Sequence, residues 1–164
     1  MKMTRARWLV LVLAGLVGVI IIGGWIRQQL RVESRAQPVT EADLRVLQRA
    51  DALLKDPASW NRHDDRVCID DEATGKRSLF CALQKAETEV LGAYEHRNGA
   101  LQEVRFAVED ATRDRAMMFD ALRQFRLPHR LMDFNNLPNT RFEDIHNVLR
   151  VATTRVTARL AANR

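Results

Sequence analysis

Residues 140–160 read TRFEDIHNVLRVATTRVTARL, and the fold class turns on this stretch. Phe142, Ile145, Leu149, Ala152, Val156 and Leu160 recur three or four positions apart, which places them along one face of an α-helix and fits no strand alternation. Thr140, with Glu143 three positions on, offers the hydroxyl and the acid of a helix start. The same spacing appears further out, at Leu44, Leu47, Ala50, Leu53 and Leu54, then at Leu79, Leu83, Ala86, Val90 and Tyr94, and again at Leu101, Val104, Val108 and Ala111. The first of these runs opens on Thr40-Glu41-Ala42-Asp43, with Val39 placed to staple onto Leu44, and stops at Asp56-Pro57. Asn98-Gly99 reads as a stop between the other two, and Met118, Leu122 and Phe125 continue the second as far as Pro128 allows. Between Ala58 and Gly75 no helical period survives, so this segment is an irregular loop, with Arg66 to Ile69 a candidate strand of a short hairpin.

A different pattern occupies the N-terminus. Trp8 to Ile26, WLVLVLAGLVGVIIIGGWI, is 19 residues without a charge. At about 1.5 Å per residue it makes roughly 28 Å of helix, enough for a hydrocarbon core of about 30 Å. Trp8 and Trp25 stand at its ends, where indoles favour the headgroup level, with arginines just outside. A cleaved signal peptide is the competing reading, but the run exceeds an apolar region of about 7 to 15 residues and no small-residue cleavage site follows it. The expected fold is therefore mainly α, with an N-terminal transmembrane helix followed by a small helical domain of about four helices. Residues 1–26 are the tail and span, 27–38 a juxtamembrane linker and 39–164 the helical domain. Ala14 and Gly18 form a small-xxx-small pair that would suit a homodimer seam, but such spacing is common in any Gly-rich span and an isolated anchor is the favoured reading.

The formal net charge of +5 invites a nucleic-acid reading until it is divided by segment. Residues 1–26 contribute Lys2, Arg5 and Arg7, residues 27–35 three arginines against Glu33, and the remaining 129 residues hold 20 bases and 20 acids. The domain is neutral, so the partner expected is the lipid bilayer and not nucleic acid. The short basic tail favours a start left in the cytoplasm and a domain on the other side.

No phosphate-binding glycine loop, zinc-peptidase motif or nucleophile elbow occurs, and no catalytic residue can be named. His63, Asp64, Asp65, Cys68, Asp70 and Asp71 crowd metal-capable groups into nine residues, but one His and one Cys among hard acids match no zinc spacing, and no calcium loop is present. They read as a solvated acidic loop, so neither metal nor cofactor is expected. Cys81 reads as a small buried side chain. If the domain lies outside the cytoplasm, a Cys68–Cys81 disulfide tying the loop to the next helix is also reasonable. Arg150, Arg155, Arg159 and Arg164 on the last helix read as complements to its dipole.

Three segments carry a resemblance: Ala52 to Trp60 (ALLKDPASW), Arg77 to Ala86 (RSLFCALQKA) and Leu131 to Val151 (LMDFNNLPNTRFEDIHNVLRV). In order and spacing they resemble the bacterial family called domain of unknown function 6197, over roughly residues 41–158. The family pattern is a helix ending near a Trp, a loop, a Trp-Cys-x-x-Gly-Ala-Leu helix start, and a Trp-Asn-Asp followed by Pro, a Thr cap and a final helix. Here Phe134-Asn135-Asn136 stands where Trp-Asn-Asp falls, Ser78 where the Cys falls and Cys81 where the Gly falls. The resemblance implies a mostly helical fold and no mechanism, and the anchor lies outside it. The expected location is the bacterial inner membrane, with the domain on the periplasmic side.

The function expected is that of a membrane-anchored binding or assembly module, serving a protein partner or a second copy. The alternative is a small-molecule or enzymatic pocket lined by Trp60, Phe134, Asn135 and Asn136. Adjacent amides before a Pro also close turns without any ligand, and that purely structural role stays open beside the ligand-binding one.

Overall fold

The structure is a computed structural model describing residues 23, 35, 37–113 and 129–163. The chain divides into two units, Met1–Gln37 and Pro38–Arg164, and the second is the folded domain. Among its described residues are six α-helices, more than the four or so expected, and no strand: α1 (Glu41–Leu53), α2 (Ile69–Thr74), α3 (Leu79–Leu91), α4 (Gly99–Arg113), α5 (Arg130–Asn136) and α6 (Phe142–Ala162). No helix among the described residues is long and apolar enough to cross a membrane. The Trp8–Ile26 run, apart from Gly23, and the Met118–Phe125 continuation lie outside them.

Helix α1 starts where its sequence says. Thr40 Oγ1 accepts from Asp43 N at 3.3 Å, and Asp43 Oδ2 accepts from Thr40 N at 2.7 Å, so two orphan donors of the first turn are paired reciprocally. Helix α3 is capped by Ser78, whose Oγ accepts from Cys81 N at 3.1 Å. It ends at Gly92, whose φ of +81° is the left-handed cap that stops a helix, so Tyr94 falls beyond the helix that its spacing suggested. Asn98-Gly99 opens α4 instead of closing α3, because Asn98 Oδ1 accepts from Ala100 N at 2.7 Å in the manner of an N-cap. Helix α6 begins one residue later than expected. Arg141 N donates to Asp144 at 2.9 Å, while the Thr140 hydroxyl turns back to donate to Phe134 O at 2.7 Å.

The expected strand at Arg66 to Ile69 is absent. Asp64 and Asp65 each accept from the backbone two residues on, at Arg66 N and Val67 N, and Arg66 and Cys68 have φ of 66° and 59°. Left-handed residues break an extended run, and α2 follows directly. Among the described residues no hairpin forms; the loop instead makes one isolated parallel bridge, between Trp60 and Arg77. Cys68 and Cys81 are joined by a disulfide with their Cα atoms 5.5 Å apart, tying this loop to α3.

The core is formed by Val46, Leu47, Ala50 and Leu54 of α1 and its end, Leu79, Leu83 and Ala86 of α3, Leu101, Val104 and Val108 of α4, Leu131 and Phe134 of α5, and Ile145, Leu149, Ala152 and Val156 of α6. Alanines at 50, 82, 86, 100, 107 and 152 are all buried, and their short side chains let the helix axes approach closely. The α6 arginines do more than complement a dipole. Arg155 donates to Asp110 at 2.7 Å and Arg159 to Glu103 at 2.6 Å, clamping α6 onto α4. His146 closes α6 onto the end of α1, one ring nitrogen 2.7 Å from Leu54 O and the other 2.8 Å from Asp51 Oδ1.

Gly99 of α4 packs closely against Asp43 of α1. A Cβ there would lie 2.9 Å from Asp43 Oδ1, and that carboxylate is already held by Thr40 N, Thr40 Oγ1 and Ala100 N. Gly99→Ala should therefore lower stability by about 1 to 3 kcal/mol, read as a lower urea midpoint with unchanged slope.

Candidate functional site

The four residues singled out from the sequence lie at the C-terminal end of α5 and the loop that follows α1. Asp56 caps a single 3-10 turn, Pro57–Ser59, which delivers Trp60 half-buried against the domain. The Trp60 indole stands 6.1 Å from the Phe142 ring, and Phe142 meets His146 edge-on at 4.6 Å, forming an aromatic row across the start of α6. Arg62 lies over the outer face of Trp60, 5.9 Å from the ring centroid, and donates to Leu137 O and Pro138 O.

Asn135 and Asn136 are the last two residues of a short helix, not a free turn. Asn135 is fully buried. Its Oδ1 accepts from Trp60 Nε1 at 2.8 Å and from Leu79 N at 3.1 Å, and its Nδ2 donates to Asn61 O at 3.1 Å and to Asn136 Oδ1 at 3.2 Å. That is the full capacity of a carboxamide, and reversing the amide would set like groups against each other at all four contacts. Asn136 pairs with the backbone of Asp64, accepting from its N at 2.8 Å and donating to its O at 2.9 Å. An acid at 136 would keep the first of these bonds and lose the second.

The two amides therefore act on the chain itself, fastening the loop to α3 and α5. Phe134 is part of the core, with its carbonyl taken by Thr140. The crowded acidic loop is likewise changed by its context. Asp64 is buried under this clamp instead of solvated, and Cys68 and Cys81 are spent in the disulfide, so neither is a free thiol nucleophile or thiolate ligand. Among the described residues no group of three His, Cys, Asp or Glu side chains is placed to hold a metal ion.

A second constellation, at the α3–α4 connection, escaped the sequence reading. Glu87 sits in the apolar stripe of α3, four residues after Leu83, and is completely buried. Its Oε1 accepts from Glu95 N at 3.0 Å, and its Oε2 has no hydrogen-bond partner. Burial pushes the Glu87 carboxyl up to about 7, with Glu95 and Asp43 adding to the rise and the Glu95 N–H and Arg105 opposing it. On the outer side of the same turn Tyr94 OH is 2.8 Å from His96 Nδ1, and Arg105 donates to His96 O at 2.8 Å. The Arg105 charge holds the His96 imidazole below its ordinary range, which favours the neutral ring beside the Tyr94 hydroxyl. The available signal was the acid itself, an interruption of the Leu79, Leu83, Ala86, Val90 stripe.

A small helical domain cross-tied by a saturated Asn amide and a disulfide is the class that this architecture defines. The chain belongs to the family of unknown function DUF6197, whose model matches residues 38–155. No curated protein and no solved structure matches it.

The clamp has an ordered cost on mutation. Asn135→Ala takes the partner from the buried Leu79 N–H and from the half-buried Trp60 indole and Asn61 carbonyl, and should lower stability by about 3 kcal/mol. Asn136→Ala, at an exposed position, should lower it by about 1 to 2 kcal/mol. Urea unfolding of both variants checks the order.

Proposed function

We propose that this member of the family is a single-pass membrane protein whose helical domain works as a binding or assembly module on the oxidising side of the bilayer. In this reading residues 8–26 span, residues 27–38 connect, and the domain from Val39 meets a protein partner or a second copy. For a bacterial chain that places the domain on the periplasmic side of the inner membrane. The observation that carries the reading is the coexistence, in one short chain, of a 19-residue uncharged run ending in tryptophans and a disulfide in the domain after it. Disulfides persist outside the reducing cytosol, which favours export of the domain past the anchor.

Binding is favoured over catalysis by what the side chains are already doing. Both thiols are oxidised and the Asn135 amide has no valence left for a ligand, so the pocket reading of Trp60, Phe134, Asn135 and Asn136 draws no support from those groups. Apolar surface is instead offered by the disulfide-closed loop, where Val67 is 56% and Ile69 71% exposed.

Expressed in bacterial cells, the full chain should stay in the membrane pellet through a carbonate wash. Its cysteines should resist alkylation until a dithiol reduces them. Carbonate release overturns the anchor, and alkylation of both thiols in unreduced cells overturns the orientation. A photo-reactive side chain at position 69 should give a discrete protein cross-link, and its failure to form one removes the assembly role.

A further inference from the structure

The connection between α3 and α4, residues 92–98, is held from two sides. Outside, Arg105 of α4 grips the His96 carbonyl. Inside, Glu95 N donates to Glu87 Oε1 at 3.0 Å. The inner grip is unusual, because a backbone N–H from a surface turn is received by a carboxyl that is wholly enclosed and whose other oxygen meets no donor.

Burial and the acids around Glu87 make a charge there harder to keep, and one arginine opposes them. From α1 comes Asp43, an acid whose oxygens accept from Thr40 N, Thr40 Oγ1 and Ala100 N and whose nearness adds to the cost of a charge on Glu87. From the turn come Glu95, a further acid, and Tyr94, edge-on to Phe80 and itself partly buried. From α4 comes Arg105, a cation that favours the charged form of Glu87, and its guanidinium is committed to His96. Helix α5 meets α3 at the other end, through Asn135 and Leu79, about 12 Å along the helix from Glu87. A neutral acid is compatible with this site, and an anion without a donor for its second oxygen is costly.

We propose that Glu87 is a proton-operated latch on the 92–98 turn, holding it closed as the neutral acid and releasing it, with Tyr94 and His96, when the carboxyl ionises. The sign follows from the two states. In an opened turn Glu87 meets water and titrates in the ordinary range near 4.5, while in the closed turn it keeps its proton up to about 7. Opening is thus least favourable below 4.5, becomes easier as pH rises between these values, and changes no further above the higher one. The turn is a pH-gated surface, closed in mildly acidic surroundings and loosened at neutrality. This inference is independent of the anchoring reading.

Amide hydrogen exchange on the full-length chain in detergent tests it, with rates corrected for intrinsic pH dependence. Protection at Glu95 N should fall at least about tenfold between pH 5 and 7 and level off above. Glu87→Gln keeps an acceptor oxygen and has no proton to lose, so its protection should be flat over the same range. Carbon NMR of the wild-type Glu87 carboxyl, which needs no variant to fold, should show it titrating well above the exposed glutamates. Flat exchange in the wild type, an unchanged slope in Glu87→Gln, or titration of Glu87 in the ordinary carboxylate range would each overturn the latch.

Discussion

The carboxamide of Asn135 is the constraint on which the loop side of this domain depends. A helical domain of this size buries its apolar faces readily enough, but the connection from α1 to α3 is irregular and has no ladder to satisfy its backbone. One buried side chain supplies what a sheet would have supplied, two acceptor contacts and two donor contacts, to Trp60, Leu79, Asn61 and Asn136. With the chain fixed at residue 61, Asn136 can fix it again at Asp64, and the disulfide at Cys68 completes the fastening. The Asx turns at Asp64 and Asp65 and the left-handed residues at 66 and 68 are tolerated because the loop is held at both ends.

Charge is distributed in the domain by a similar economy. Carboxylates of α4 that would be expensive to bury alone are met by arginines of α6 and α5, with Glu103 on Arg159, Asp110 on Arg155 and Glu109 on Arg130. Asp43 is buried among backbone and hydroxyl donors and caps α1 while receiving the start of α4. Glu87 is held differently: enclosed, its Oε1 takes the Glu95 N–H and its Oε2 meets no donor.

Much of the local structure was legible. The capping box at Thr40 and Asp43, the apolar stripes of α1, α3, α4 and α6, and the stop at Asp56-Pro57 are short-range effects, decided within a turn or two of helix. The readings that failed are ones in which two local signals compete. Asn98-Gly99 can end one helix or begin the next, and Gly92 had already ended α3. Thr140 can cap α6 or reach back, and the Phe134 carbonyl at the end of a neighbouring helix claimed it. The Arg66–Ile69 strand was outvoted by Asx turns whose effect on φ leaves no mark on hydrophobic spacing. Of the candidate site, Trp60 and the two asparagines were found from composition and position, but the bond that joins them spans 75 residues of sequence.

By itself the sequence determined that the domain is helical, that it carries no net charge, and that a 19-residue uncharged run precedes it, because periodicity, composition and charge are properties of the chain taken in order. Only the tertiary structure decided that Cys68 pairs with Cys81, that Asn135 spends every hydrogen bond on its own chain, and that Glu87 is enclosed. Pairing, saturation and burial are relations between segments brought together by packing. A side chain's chemistry is set by those neighbours, and one-dimensional spacing does not contain them.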